Sequence, residues 1–218
     1  MYIETKDLTL TYLDGENQRT ILDKVNMKIN AQVPNVLIGP SGSGKSSLLY
    51  LLAALRSQTS GVIDYSSITK SHKKSLDELR YDDFGFIFQK SFLLPYLNSI
   101  ENICLARRDV NLKEEAVKWL DRFGISHLAN KKPYQMSGGE CQRIAIVRAL
   151  VKKPKVIFAD EPTASLDKDN AIQVFNILKE LSRDKIMIVA THDTSLFSGD
   201  ENIFRIENCK VIQVNDYK

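Results

Sequence analysis

Polar and apolar residues alternate along Leu8-Thr9-Leu10-Thr11-Tyr12 and again along Val25-Asn26-Met27-Lys28-Ile29, the two-residue period of half-buried strands. Asp14-Gly15 falls between them as a loop, so the pattern predicts an antiparallel β lobe over about residues 1–30. From residue 36 the character changes. Val36-Leu37-Ile38, Val156-Ile157-Phe158-Ala159 and Ile186-Met187-Ile188-Val189-Ala190 are unbroken apolar runs separated by helical stretches, the habit of parallel strands buried on both faces. They place an α/β core with a parallel sheet over about 31–97 and 154–218. Between those parts, about 98–153 reads as a helical insert, with Trp119, Leu120 and Phe123 spaced to share a helix face and Gly124 able to end it. No repeat, low-complexity tract or proline-rich linker divides the chain, so 1–218 is expected to form one α/β unit with lobes.

Composition narrows the picture modestly. The chain has 218 residues, 43% hydrophobic and 26% charged, enough for one sizeable core. A net charge of +3 with no long block of either sign points to no nucleic-acid partner. Cys104, Cys141 and Cys209 lie far apart, so neither a disulfide framework nor a zinc site is expected, and a reducing cytoplasmic setting fits. The start, Met1-Tyr2-Ile3-Glu4-Thr5-Lys6, lacks a secretory design. The longest apolar stretch, Leu48 to Leu55, falls short of the ~20 residues that cross a bilayer. Any membrane role is expected to be peripheral.

Chemistry enters with Gly39-Pro40-Ser41-Gly42-Ser43-Gly44-Lys45-Ser46, a phosphate-binding loop pattern between a buried strand and a predicted helix, Ser47 to Arg56. The glycines let backbone N–H groups point inward at phosphate oxygens, and the helix start adds its positive dipole end. Lys45 is the candidate for the β- and γ-phosphates, and the Ser46 hydroxyl for Mg²⁺, a hard ion that prefers oxygen. Ser47 follows. Asp160 and Glu161 close an apolar strand, and as successive strand residues they should diverge. Asp160 can then serve a metal while Glu161 polarises an attacking water. Ser137-Gly138-Gly139-Glu140 opens a second helical run with Ser137 as N-cap, a second helix-end anion site or simply a helix start. His192, at the end of a strand on the same sheet edge, is either a donor to an anion or an ordinary edge histidine.

Taken in order, the phosphate loop, Gln89, Ser137-Gly138-Gly139, Asp160-Glu161, Ser165-Leu166-Asp167 and Thr191-His192-Asp193 resemble the ATP-binding-cassette ATPases over essentially the whole chain. The resemblance implies ATP as substrate with Mg²⁺, and a phosphate-loop NTPase core carrying an N-terminal β lobe and a helical insert. It implies that Tyr12 stacks adenine, where periodicity alone also allows a cross-strand packing residue. Gln89, otherwise a loop amide, becomes the glutamine that senses Mg²⁺ and links to a membrane partner. Ser46 and Asp160 are the metal-side residues, Glu161 the base, His192 the switch histidine at the γ-phosphate and Asp167 a cross-subunit aspartate. Ser137, Gly138, Gly139 and Glu140 are the signature, which covers ATP held by another subunit. A homodimer on ATP binding follows, working on the cytoplasmic face of the cell membrane through a separate transmembrane permease.

A finer likeness runs through Phe86-Ile87-Phe88-Gln89-Lys90-Ser91-Phe92-Leu93-Leu94-Pro95 and Asn98-Ser99-Ile100-Glu101-Asn102-Ile103. This resembles the branch of lipoprotein-releasing, macrolide-exporting and antimicrobial-peptide-resistance ATPases. Phe92, Leu93, Leu94 and Tyr96 suit either a groove for a permease helix or a subdomain core. Glu140 departs from the family's usual glutamine, which puts turnover in question, and Ser47 stands where threonine is common. Two roles stay open: powering export or mechanical transmission, and an ATP-gated regulatory module of the cell-division type that moves no cargo.

Overall fold

A computed structural model of the chain describes residues 1–15, 17–69, 74–107 and 111–214. The first two strands run longer than their alternation implies, β1 over Tyr2–Asp14 and β2 over Asn17–Asn30, paired antiparallel. The reason is a change of phase. Ile3 and Thr5 are buried, then Leu8 and Leu10, and a register shift lies between Thr5 and Leu8 with Asp7 at φ 49°. In β2 the break falls between Leu22 and Val25, with Lys24 at φ 49°. A bulge inserts one residue and keeps the same face buried, so a strict two-residue period reads each strand as shorter than it is. The third strand of this sheet, β4 (Ser60–Asp64), pairs with β1 and comes from outside the 1–30 stretch.

The second sheet contains β3 (Pro34–Ile38), β5 (Phe84–Ile87), β6 (Val156–Asp160), β7 (Ile186–Ala190), β8 (Asn202–Glu207) and β9 (Lys210–Val214). Their order is β5-β6-β7-β3-β8-β9, parallel except for β9, which pairs antiparallel with β8. Every residue of β3, β6 and β7 is buried, as expected of strands covered on both faces. Alternate residues serve two cores. Val156, Phe158, Ile186 and Ile188 pack with the antiparallel sheet and with helix α1 (Lys45–Leu52), while Ile157, Ala159, Met187 and Val189 pack beneath the later helices.

Helices α2 (Ser66–Thr69) and α3 (Leu76–Glu78) are single turns before β5. The 98–153 stretch holds α4 (Ser99–Cys104), α5 (Lys113–Arg122) and α6 (Gly138–Leu150), and α7 (Lys168–Leu181) follows β6. Leu120 and Phe123 of the α5 stretch are fully buried, with Trp119 half-buried beside them. Gly124, at φ 64°, ends α5 with Gly124 N–H on the Asp121 carbonyl and Ile125 N–H on that of Leu120. Helix α1 begins two residues earlier and ends four earlier than its predicted span. Ala54 turns left-handed at φ 53° and Leu55 N–H closes on the Tyr50 carbonyl, which releases Arg56 to lie over the Tyr12 ring.

Candidate active site

The parallel strands point their carboxyl ends to one edge, where ligands bind in open α/β sheets. There β3 gives way to the loop 39–44 and then to α1. Gly39 sits at φ 150°, and a Cβ on it would lie 2.6 Å from the Ile206 carbonyl oxygen and 2.8 Å from Ser43 Oγ, so the turn admits only glycine. Lys45 Nζ donates to the carbonyls of Gly39 (2.8 Å) and Pro40 (3.1 Å), holding its charge across the loop. Ser43 Oγ and Tyr12 Oη are buried without a hydrogen-bond partner, and both belong to the same face of the molecule as the loop. Orphan polar atoms beside a helix start describe a place built for a polar ligand.

The two carboxylates at the end of β6 diverge. Asp160, 3% exposed, accepts from Ser46 Oγ through Oδ1 (2.9 Å) and from Tyr50 Oη through Oδ2 (3.1 Å). Burial raises the Asp160 carboxyl above the usual carboxylate range, opposed by those two hydrogen bonds. Glu161 leaves the strand at φ 46°, which turns its side chain the other way. Its Oε2 accepts from Thr191 Oγ1 (3.0 Å) and its Oε1 lies 2.8 Å from His192 Nδ1. The His192 side chain is 73% exposed and that of Glu161 13%, so the pair faces solvent through the imidazole. No group of three or more His, Cys, Asp or Glu residues is gathered for a metal among the described residues. The oxygen donors of Ser46, Asp160 and Gln89 nevertheless suit Mg²⁺, which takes few protein ligands when phosphates supply the rest. Held by those residues, Mg²⁺ would supply positive charge against bound phosphate.

One open cleft of about 660 Å³ gathers Tyr12, Ser41, Gly42, Gly44, Lys45, Ser46, Ser47, Gln89, Glu161 and His192, with Leu13, Arg19 and Ile21 on its rim. Arg56 covers one face of the Tyr12 ring, 4.9 Å from its centre, leaving at most one face for a base. Ser137, Gly138, Gly139, Glu140 and Asp167 do not line this cleft. Ser137 and Gly138 are exposed at the start of α6. Ser137 Oγ accepts from Glu140 N–H (3.2 Å), and Glu140 Oε2 accepts from Ser137 N–H (2.7 Å). Glu140 thus closes a capping box, and the Ser137 N–H holds its carboxyl below the usual range. Asp167 caps α7 through Asn170 N–H (3.1 Å), and Asn170 Oδ1 in turn accepts from Arg143 of α6 (2.8 Å). A Cβ on Gly139 would lie 3.0 Å from the Ser165 carbonyl, so the signature and the Ser165–Asp167 turn approach closely.

Sequence reasoning did not single out Tyr50, nor the side chains that hold the segment on either side of Gln89. Gln142 Nε2 donates to the Phe88 carbonyl (2.9 Å), and Arg148 donates to the carbonyls of Phe92 (2.8 Å) and Ser91 (2.6 Å). Asn102, fully buried, accepts from Leu94 N–H (2.7 Å) and donates to the carbonyls of Leu94, Leu97 and Asn98. Amides and guanidinia inside amphipathic helices look like surface residues in sequence. Asn102→Leu should lower unfolding free energy by about 3 kcal/mol, because it strips the bonds and leaves buried backbone groups unpaired. Urea unfolding with the two-state midpoint read by circular dichroism checks this.

A buried parallel sheet with a phosphate loop, two divergent carboxylates and an edge histidine defines a nucleoside-triphosphate hydrolase. The family model described as "ABC transporter" matches residues 22–164. The chain is 37% identical to the putative hemin import ATP-binding protein HrtA of Staphylococcus aureus strain MRSA252, covering 97% of this chain and 99% of that one. The dimeric ATP-binding cassette MJ0796 in a post-hydrolysis state with ADP and Pi superimposes with a TM-score of 0.87 at 33% identity, covering 96% of each chain. A second dimeric MJ0796 structure, described as a bacterial ABC transporter cassette, gives the same TM-score at 34% identity. The chain therefore belongs to the ABC transporter ATPases and is an ATP-binding, ATP-hydrolysing subunit. No helix among the described residues is long and apolar enough to cross a membrane.

Proposed function

We propose that this ATPase couples ATP-driven closure of a homodimer to work done by a separate membrane permease, as a peripheral subunit on the cytoplasmic face. The observation that carries the reading is the separation within one chain of two anion-ready helix starts. Lys45 and its loop line the cleft, whereas Ser137 and Gly138 lie exposed outside it. A second copy related by a twofold axis brings each signature to the other's nucleotide, giving two composite sites. Within each, Tyr12 stacks the base and residues 39–47 enclose the phosphates. Ser46, Asp160 and Gln89 form the metal side, Glu161 takes the proton of the attacking water, and His192 donates to the γ-phosphate. Asp167, through its cap on α7, sets the turn that crosses to the partner.

The exposed rings of Phe92 (62%) and Tyr96 (66%), on a segment pinned by Asn102 and Arg148, support a docking place for the permease. Cargo is selected by that permease, and hemin is the first to test, since the HrtA relatives are named for it. Affinity isolation of the tagged chain from native membranes should recover a polytopic protein that stimulates its ATPase several-fold. Phe92→Asp combined with Tyr96→Asp should abolish recovery and stimulation while leaving the isolated ATPase unchanged. Recovery undiminished by that double change would overturn the docking surface.

A further inference from the structure

Asp160 is gripped by two residues of one helix. Ser46 and Tyr50 stand four apart on α1, hence on the same face, and each takes a different oxygen of the carboxylate: Oδ1 at 2.9 Å from Ser46 Oγ, Oδ2 at 3.1 Å from Tyr50 Oη. The phosphate-loop chemistry accounts for Ser46 and leaves Tyr50 without a role. Its ring is not free to turn. It packs against Phe86 of β5 (centroids 5.5 Å) and Phe88 (6.5 Å), and Phe86 stacks on Phe158 of β6, two residues before Asp160. Phe88 in turn directly precedes Gln89, and its carbonyl is held by Gln142. The phenol is therefore aimed at Asp160 from a fixed aromatic cluster that also borders the Gln89 turn.

We propose that Tyr50 is a positioning residue for the Mg²⁺-dependent binding of ATP, holding the Asp160 carboxylate in the rotamer that leaves Oδ1 and the Ser46 hydroxyl together at the metal side. This rests on the proposed metal-side role of Asp160. Without the hydroxyl, Oδ2 loses the Tyr50 donor and becomes an uncompensated buried carboxylate oxygen. The carboxylate then rotates to bring Oδ2 to water, and the pairing of Oδ1 with the Ser46 hydroxyl is lost. Tyr50→Phe removes that one oxygen and keeps the ring packing, so the fold is retained and the loop with Lys45 is untouched.

The test measures the affinity of the full chain for a fluorescent β,γ-imido analogue of ATP in excess Mg²⁺ and in EDTA. For wild type, Mg²⁺ should tighten binding, and Tyr50→Phe should shrink that gain about tenfold, the worth of one hydrogen bond to a charged group. Affinity in EDTA and the melting temperature should stay close to wild type. Asp160→Asn should shrink the gain as well, and adding Tyr50→Phe to it should change nothing further. An undiminished gain in Tyr50→Phe beside a lost gain in Asp160→Asn would overturn the role of Tyr50 alone. An undiminished gain in Asp160→Asn would overturn the metal-side reading, and this proposal with it. Equal losses with and without Mg²⁺, or additive effects of the two changes, would reduce Tyr50 to a packing residue.

Discussion

Glu161→Gln should give a protein that hydrolyses ATP at least about a hundredfold more slowly, the scale of a lost general base, and that forms a stable dimer in MgATP. The amide keeps the size of the side chain and its contact with Thr191, and the metal-side bond between Ser46 and Asp160 lies on the other carboxylate. Binding is preserved while water is no longer activated. Each trapped ATP then bridges Lys45 and its loop on one copy to the exposed start of α6 on the other, so ligand binding and association reinforce each other. ADP, lacking the bridging phosphate, should not support the dimer. Ser137→Arg in the same protein should abolish it, because bulk and charge then stand where the helix start must approach the phosphate, and the capping bond to Glu140 N–H is lost as well. Size-exclusion chromatography with light scattering reads the outcome. A Glu161→Gln protein that stays monomeric in excess MgATP, or a dimer that tolerates Ser137→Arg, would sink the composite site.

Lys45→Ala should weaken ATP binding by about a hundredfold or more, since the loop would lose the cation that offsets phosphate charge at close range. Lys45 Nζ also holds the carbonyls of Gly39 and Pro40, so the truncation unpins the loop it belongs to. The fold should survive, because the leucines of α1 stay packed and Gly39 still keeps its turn against Ile206. Isothermal titration with ATP, alongside a thermal melt near that of wild type, separates loss of the site from loss of the structure. Near-normal affinity would contradict the assignment of the loop.

The buried strands were legible because an unbroken apolar run such as Ile186–Ala190 needs cover on both faces, whichever sheet it joins. The phosphate loop and the carboxylate pair were legible because their chemistry depends on residues adjacent in sequence. Strands β8 and β9 were not read. Their turn, Asn208-Cys209, takes two left-handed residues in succession without a glycine to announce it. The limits of β1 and β2 were hidden by bulges at Asp7 and Lys24 that shift the period.

By itself the sequence determined the class of fold, the family resemblance and the candidate residues, since each of these rests on local spacing. Which residues share a site was decided by tertiary structure. The order β5-β6-β7-β3 brings Gln89, Glu161, His192 and Lys45, distant in sequence, to one edge of the sheet. The grip of Tyr50 on Asp160 spans 110 residues and the clamp of Arg148 on the Ser91 carbonyl 57, distances at which no periodicity speaks. The exposure of Ser137 away from the cleft is likewise a property of how the α6 region packs beside the sheet. A pattern of residues records which face must be buried, but only the closed topology says which buried faces meet.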